Sequence, residues 1–220
     1  MTAAEGQFAS PPCFLHELDP HYVDPQQRID VMRWRKAERE RLIGARVRMD
    51  QADRQARMGR IAHHLEAAFG NIVGQTISFY WPFRGEPDLR ELMTRVLDTG
   101  GHVALPVVVA RAQPLVFRAW RTGEPLESGV WNIPIPPASA PVVTPDIVIA
   151  PLVGFDQALY RLGYGGGFFD RTLAAMPRHP SVIGVGYDQA AIPTIFPQVH
   201  DIPMDMLVTE SGLITKGASQ

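Results

Sequence analysis

The run Arg161-Leu-Gly-Tyr-Gly-Gly-Gly-Phe-Phe-Asp-Arg171 constrains the fold more than any other part of this chain. Four glycines fall within five positions there. Glycine costs backbone entropy, so such a run marks a turn where side chains would obstruct something. An apolar, strand-like segment precedes it, from Asp146 to Val153, and a helix-like one follows, from Phe168 to Met176. A strand, a glycine turn and a helix start together make an anion-binding device. Backbone N–H groups converge there, and the helix dipole adds positive potential. On composition alone, a tight turn with a helix cap accounts for the run equally well.

The flanking pattern predicts where such a turn would sit. Asp24-Pro25 reads as a helix start, a capping acid followed by proline at the first helical position, and the helix runs to about Met49. Asp50 and Asp53 cap a second helix with Ile61, Leu65, Ala68 and Phe69 on one face, ended by Gly70 or Gly74. Thr76–Trp81 reads as a strand, 82–87 as a loop, and Asp88 as the opening of a helix closed by Gly100-Gly101. Strands are expected at His102–Val109, Leu115–Trp120, Asp146–Val153 and Val182–Tyr187, with a last one at Met206–Thr209. Residues 121–145 are proline-rich and irregular. Strands alternating with helices predict an α/β fold, a mainly parallel sheet covered on both faces. Ligands bind such sheets beyond the carboxyl ends of the strands, where loops 82–87, 151–167 and 188–205 would gather. The expected organisation is an N-terminal arm over 1–24, a single domain over 25–214 and a tail over 215–220.

Bulk properties narrow the classes. A formal net charge of −2 offers no global attraction to nucleic acid. One cysteine, Cys13, excludes an internal disulfide and fits a reducing compartment. No signal peptide and no membrane-length apolar run is evident, so a cytoplasmic protein without membrane partners is expected. Only Lys36 and Lys216 stand against nineteen arginines. No Gly-Lys-Ser/Thr follows the glycine run, so a Walker-type loop is excluded and phosphate must meet arginine, backbone N–H or metal. The seven histidines show no metal-ligand spacing, and no nucleophile elbow is present.

Several residues have a chemical reading beside a plain one. Arg161 could fork onto a phosphate or carboxylate, or form a surface ion pair. Tyr164, between two glycines, could stand up with little around it to line a pocket, or fold back onto the core. Phe168 could stack on a planar ring, and Phe169 reads more readily as core. Asp170 could bind Mg²⁺ beside phosphates, or simply complement the helix dipole. A carboxylate of His200-Asp-Ile-Pro-Met-Asp205 could complete that metal site, or cap a turn. Arg35 and Arg39, four apart on one helical face, could clamp a polyphosphate or be a solvated face.

Taken in order, Ile77 to Glu86, Trp131-Asn-Ile-Pro, Pro151-Leu-Val-Gly-Phe-Asp156, the glycine run and His200–Asp205 resemble the signature of the 5-formyltetrahydrofolate cyclo-ligases, or methenyltetrahydrofolate synthetases. The resemblance extends from about Arg33 to Leu213. It implies a three-layer α/β/α fold of the NagB/RpiA/CoA-transferase-like kind, and ATP- and Mg²⁺-dependent ring closure of 5-formyltetrahydrofolate to 5,10-methenyltetrahydrofolate. By that resemblance Arg35, Arg39 and the segment Arg161, Leu162, Gly163, Tyr164, Gly165, Gly166, Gly167, Phe168 and Phe169 bind ATP. Trp81, Glu86 and Tyr164 to Phe168 contact the reduced folate, and Asp170 and Asp201 hold Mg²⁺. A monomer or weak dimer acting on small molecules is implied. The chain departs from the pattern at Arg35, where lysine is often expected, and in the residues that precede the first helix. Those departures leave room for a non-catalytic folate-binding paralogue, or for an ATP-dependent enzyme acting on a related pterin or formamide.

Overall fold

The computed structural model describes residues 25–216. The expected arm over 1–24, with Asp24 and Cys13, and residues 217–220 of the expected tail lie outside that range. The chain divides into two compact units, Met1–Trp34 and Arg35–Gln220. In the described part of the first, the start of helix α1 (Pro25–Val47), Gln26 donates to Asp30 and Asp30 pairs with Arg33. Pro25 is the first helical residue, where its missing N–H costs nothing.

In the second unit, Asp50 caps α2 (Gln51–Phe69) by accepting from the N–H groups of Ala52 and Asp53, and Gly70 ends it. The helix expected to open at Asp88 starts two residues later, as α3 (Arg90–Asp98), with Leu89 at its N-cap and the Asp88 carboxylate accepting from the N–H of Arg90. A seven-stranded sheet is built from β1 (Thr76–Ser78), β2 (His102–Val107), β3 (Val116–Trp120), β6 (Ile147–Pro151), β9 (Ser181–Val185), β10 (Met206–Thr209) and β11 (Gly212–Thr215). Its order is β11-β10-β9-β6-β1-β2-β3. The five inner strands are parallel, with Ile77 opposite both Val103 and Ile147, and the two outer pairings are antiparallel. The sheet is therefore mixed but mostly parallel. Two short ribbons complete the fold: β4 (Glu127–Ser128) with β5 (Pro134–Ile135), and β7 (Gly154–Phe155) with β8 (Arg161–Leu162).

Period-2 alternation sorts side chains onto the two faces. Ile147, Ile149, Ile183, Val185 and Val208 join Ile61, Leu65, Leu92 and Met93 of α2 and α3 in one core. Ala150, Val182 and Leu207 point the other way, toward Leu173 and Phe169 of α4 (Phe168–Ala175). Three layers result, as expected. Burial on both faces explains why β6 reads Ile-Val-Ile-Ala without a polar break.

Two expectations need correction. Met206–Thr209 is not the last strand: the chain turns at Ser211 and returns as β11, so Thr215 belongs to the sheet rather than to a tail. The glycine run does not follow β6 directly. The β7/β8 ribbon intervenes and delivers Arg161 and Leu162, both buried, to its start.

Candidate functional site

Beyond the carboxyl ends of β1, β2 and β6 the chain leaves β geometry and opens a cleft. Tyr80 and Trp81 after β1, Val108 after β2 and Pro151 of β6 form its floor. The β4–β5 ribbon, the glycine run, Arg35, Arg39 and Asp201 form its walls. All the site residues expected from the sequence line this one cleft: Arg35, Arg39, Trp81, Glu86, every residue from Arg161 to Asp170, and Asp201.

One end presents open hydrogen-bond donors. Gly165 (φ +94°) and Gly167 (φ +62°) occupy the left-handed region, which strains any residue with a Cβ. Gly167 precedes α4 without a side-chain cap. From Gly163 to Asp170 no backbone N–H reaches an acceptor among the described residues. Such a run of open donors is expensive unless water or a ligand meets it. Arg39 lies against it. Its Nε donates to Gly163 O at 2.6 Å, and its two terminal nitrogens have no acceptor among the described residues. Burial and the neighbouring Arg35 both pull the Arg39 pKa below the usual arginine value, against Asp201. That cost falls if an anion joins the guanidinium. Arg35 is committed differently: Nε donates to Ile195 O at 2.9 Å, and Nη2 donates to Phe196 O and to Asp201.

Arg161 is not a surface residue. It is 6% exposed, donates to Asp170 Oδ1 at 2.7 Å and to Ile202 O at 3.1 Å, and stacks its guanidinium over Phe169. Its work is to hold Asp170. The N–H of Ile202 also donates to Asp170 Oδ1. Asp201 Oδ2 accepts from Arg35 and from Gln198 N. Each aspartate thus has one oxygen pinned by nitrogen donors and the other without a hydrogen bond among the described residues. A pair of oriented carboxylates on one cleft is a donor set that suits Mg²⁺, which keeps waters and substrate oxygens as its remaining ligands. Among the described residues no group of three or more His, Cys, Asp or Glu is placed to hold a metal by protein ligands alone.

The other end is aromatic and carries one buried acid. Phe83 and Trp131 lie nearly parallel, 9° apart with centroids at 5.7 Å, and Tyr164 leans on both. Trp131, in the turn between β4 and β5, takes a left-handed conformation (φ 59°). Trp81 packs edge-on to Trp120 and lies under Arg90. Tyr164 does not stand on an empty turn. Its hydroxyl donates to Glu86 Oε1 at 2.9 Å and accepts from Arg46 at 2.6 Å. Glu86 is 4% exposed, and its Oε2 accepts from Phe83 N at 2.9 Å. Burial pushes its carboxyl up to about 7, against the pull of Arg46, Phe83 N–H and the Tyr164 hydroxyl.

Residue reasoning missed Arg46, Phe83 and the placement of Trp131. A signal for Arg46 existed. Arg35, Arg39, Leu42 and Arg46 fall at spacings of four, three and four, which is one helical stripe. Leu42 and Arg46 on that stripe are both buried.

The fold and cleft define an α/β ligand-binding protein of the sort that works at the carboxyl edge of a mostly parallel sheet. Comparison with known proteins narrows this. The model of the 5-formyltetrahydrofolate cyclo-ligase family matches residues 31–210, and the chain belongs to that family, a family of ligases. The 5-formyltetrahydrofolate cyclo-ligase of Escherichia coli (strain K12) is 30% identical over 177 residues, 77% of this chain and 97% of that one. Its counterpart from Mycolicibacterium smegmatis is 31% identical over 145 residues, 63% and 75% of the two chains. The solution structure of Aquifex aeolicus 5,10-methenyltetrahydrofolate synthetase shares the fold. Its TM-score is 0.72 at 24% identity, covering 84% of this chain and 94% of that one. A 5,10-methenyltetrahydrofolate synthetase from Mycoplasma pneumoniae has a TM-score of 0.67 at 19% identity, covering 80% and 98%.

Proposed function

We propose that this enzyme closes the ring of 5-formyltetrahydrofolate to give 5,10-methenyltetrahydrofolate, consuming ATP in the presence of Mg²⁺ and releasing ADP and phosphate. One observation carries the reading. A single cleft joins a run of unpaired backbone N–H groups and the open end of Arg39 to an aromatic pocket with a buried carboxylate.

The chemistry matches that division. A formamide oxygen is a poor leaving group. The γ-phosphoryl of ATP passes to the formyl oxygen, the bond to ADP breaks, and an iminium phosphate forms on N5. N10 then attacks the formyl carbon and loses its proton, and phosphate departs with the C–O bond to leave the methenyl cation. Little covalent help is needed, so alignment and charge stabilisation dominate. Open N–H groups at Gly163–Asp170 and the Arg39 guanidinium meet the phosphates, while Arg35 orients Asp201. Asp170 and Asp201 would hold Mg²⁺, which when bound neutralises charge on the phosphate oxygens. Trp81, Phe83, Trp131 and Tyr164 form walls for planar rings. Glu86 Oε1, already taking one hydrogen bond from Tyr164, has capacity for a second from an amino-substituted ring edge.

Incubation with 5-formyltetrahydrofolate, ATP and Mg²⁺ should build the absorbance of the methenyl product, with one ADP formed per ring closed. Folate binding without ADP release would instead identify a non-catalytic paralogue. ADP release only with other formamides would identify a changed substrate.

A further inference from the structure

Arg46 lies behind the cleft rather than in it. It belongs to the last turn of α1, is 5% exposed, and points into the ring of loops that frames the aromatic end. Its nitrogens reach three of those segments. Nε donates to Arg84 O at 3.0 Å in the loop after β1, and Nη1 donates to Leu152 O at 2.8 Å after β6. Nη2 donates to the Tyr164 hydroxyl at 2.6 Å in the glycine run. The same Nη2 lies 3.9 Å from Glu86 Oε1. The loop presses closely on this side chain. Gly85 has φ +77°, and a Cβ there would meet Arg46 O at 3.3 Å and Arg46 Cγ at 3.4 Å.

Proton direction matters here. A guanidinium can only donate, so its bond makes the Tyr164 oxygen an acceptor on that side. The one phenolic proton then has two acceptors in reach, Glu86 Oε1 at 2.9 Å and Phe83 O at 3.4 Å, and the shorter, charge-assisted contact to Glu86 is the stronger. Arg46 therefore fixes the order Arg46 to Tyr164 to Glu86 and leaves Glu86 as an acceptor toward the cleft. It also pins the Tyr164 ring against Phe83 and Trp131. A planar fork is needed because two carbonyls and a hydroxyl are met at once; a lysine ammonium is a point charge and cannot span them.

From this geometry we infer that Arg46 is a positioning residue for the folate end of the site, acting on substrate through Tyr164 and Glu86 without touching it. The inference rests on the proposed folate-binding role of that end. It makes folate recognition depend on Arg46 more strongly than nucleotide recognition, which falls to the Arg39 guanidinium and to backbone N–H groups that Arg46 does not touch.

The test compares wild type with Arg46→Lys, Arg46→Met, Tyr164→Phe and the double variant Arg46→Lys/Tyr164→Phe. Steady-state KM is measured for each substrate, and 5-formyltetrahydrofolate affinity by direct titration. Arg46→Lys should weaken folate affinity and raise the folate KM about tenfold, the loss of one charge-assisted hydrogen bond, with the ATP KM held within about twofold. Arg46→Met should lose at least as much. The double variant should lose clearly less folate affinity than the two single losses combined, because both changes break the same link to Glu86. Additive losses, equal rises in both KM values, or unchanged folate affinity would overturn the assignment. Failure of both Arg46 variants to fold would also overturn it, by making Arg46 a scaffold residue only. An inactive wild type would count against the catalytic reading alone, and the titration of Arg46→Lys would still decide the role of Arg46.

Discussion

At the scale of single residues, the arginines of the cleft differ in which groups are already satisfied. Arg35 and Arg161 are spent on protein acceptors, whereas Arg39 keeps its terminal nitrogens open to the cleft. Arg39→Ala should therefore raise the ATP KM by about tenfold to a hundredfold, as expected for loss of a charge-assisted contact, with the folate KM little moved. Steady-state kinetics with each substrate varied in turn would check this. Glu86 makes a prediction about stability. Its ordinary value of 4.5 rises to about 7 in the folded chain because burial disfavours the charge. At low pH the carboxyl is protonated in both folded and unfolded chains. As pH climbs between those values the unfolded chain gives up its proton first, so folding stability falls until about pH 7 is passed. Wild type should lose on the order of 3 kcal/mol relative to Glu86→Gln across that window. Denaturant melts from pH 4.5 to 8 would show the difference, and parallel curves would refute it.

At the scale of elements, the glycine run divides into positions that need glycine for shape and positions that need it for space. Gly167 sits at φ +62°, and a Cβ there would come within 3.0 Å of the Arg171 guanidinium. Gly163 has ordinary φ, and a Cβ there meets nothing within 4 Å. Gly167→Ala should cost about 1–2 kcal/mol of stability through left-handed strain. Gly163→Ala should cost under about 0.5 kcal/mol and show its effect as a higher ATP KM instead. Denaturant midpoints set beside KM values would separate the two. Legibility at this scale followed physical contrast. Asp50 before α2 and the apolar run of β6 were readable because capping and two-sided burial leave marks in sequence. The two-residue strands β7 and β8 were not, since so short a pairing has no period and is held by its partner. Nor was β11, a four-residue return that half exposes its side chains. Arg46 escaped because a buried arginine reads like any charge on a solvated helix, and only Leu42 on its stripe is apolar.

At the scale of the whole molecule, the mostly parallel sheet gathers distant segments to one edge. Residues 35 and 39, 80–86, 131, 161–170 and 201 become neighbours of one cleft although no local pattern joins them. The glycine run and its helix could be read from sequence because their signal is local. The aromatic wall of Phe83, Trp131 and Tyr164 could not, because its three members come from three separate connections. On the proposed function both substrates bind the folded chain and not the unfolded one, so nucleotide with Mg²⁺ should stabilise it. At a hundred times the dissociation constant the gain is about 2.7 kcal/mol, enough to raise the melting temperature by roughly 5–10 °C in a chain of this size. Nucleotide without Mg²⁺ should do less, and Asp170→Asn should remove the difference. The most direct test is a crystal structure with Mg²⁺ and a non-hydrolysable ATP analogue. The terminal phosphates should lie within hydrogen-bond distance of the N–H groups between Gly163 and Asp170 and of Arg39. Phosphates seated elsewhere in the protein, with those N–H groups turned to solvent or to the chain's own carbonyls, would contradict the account.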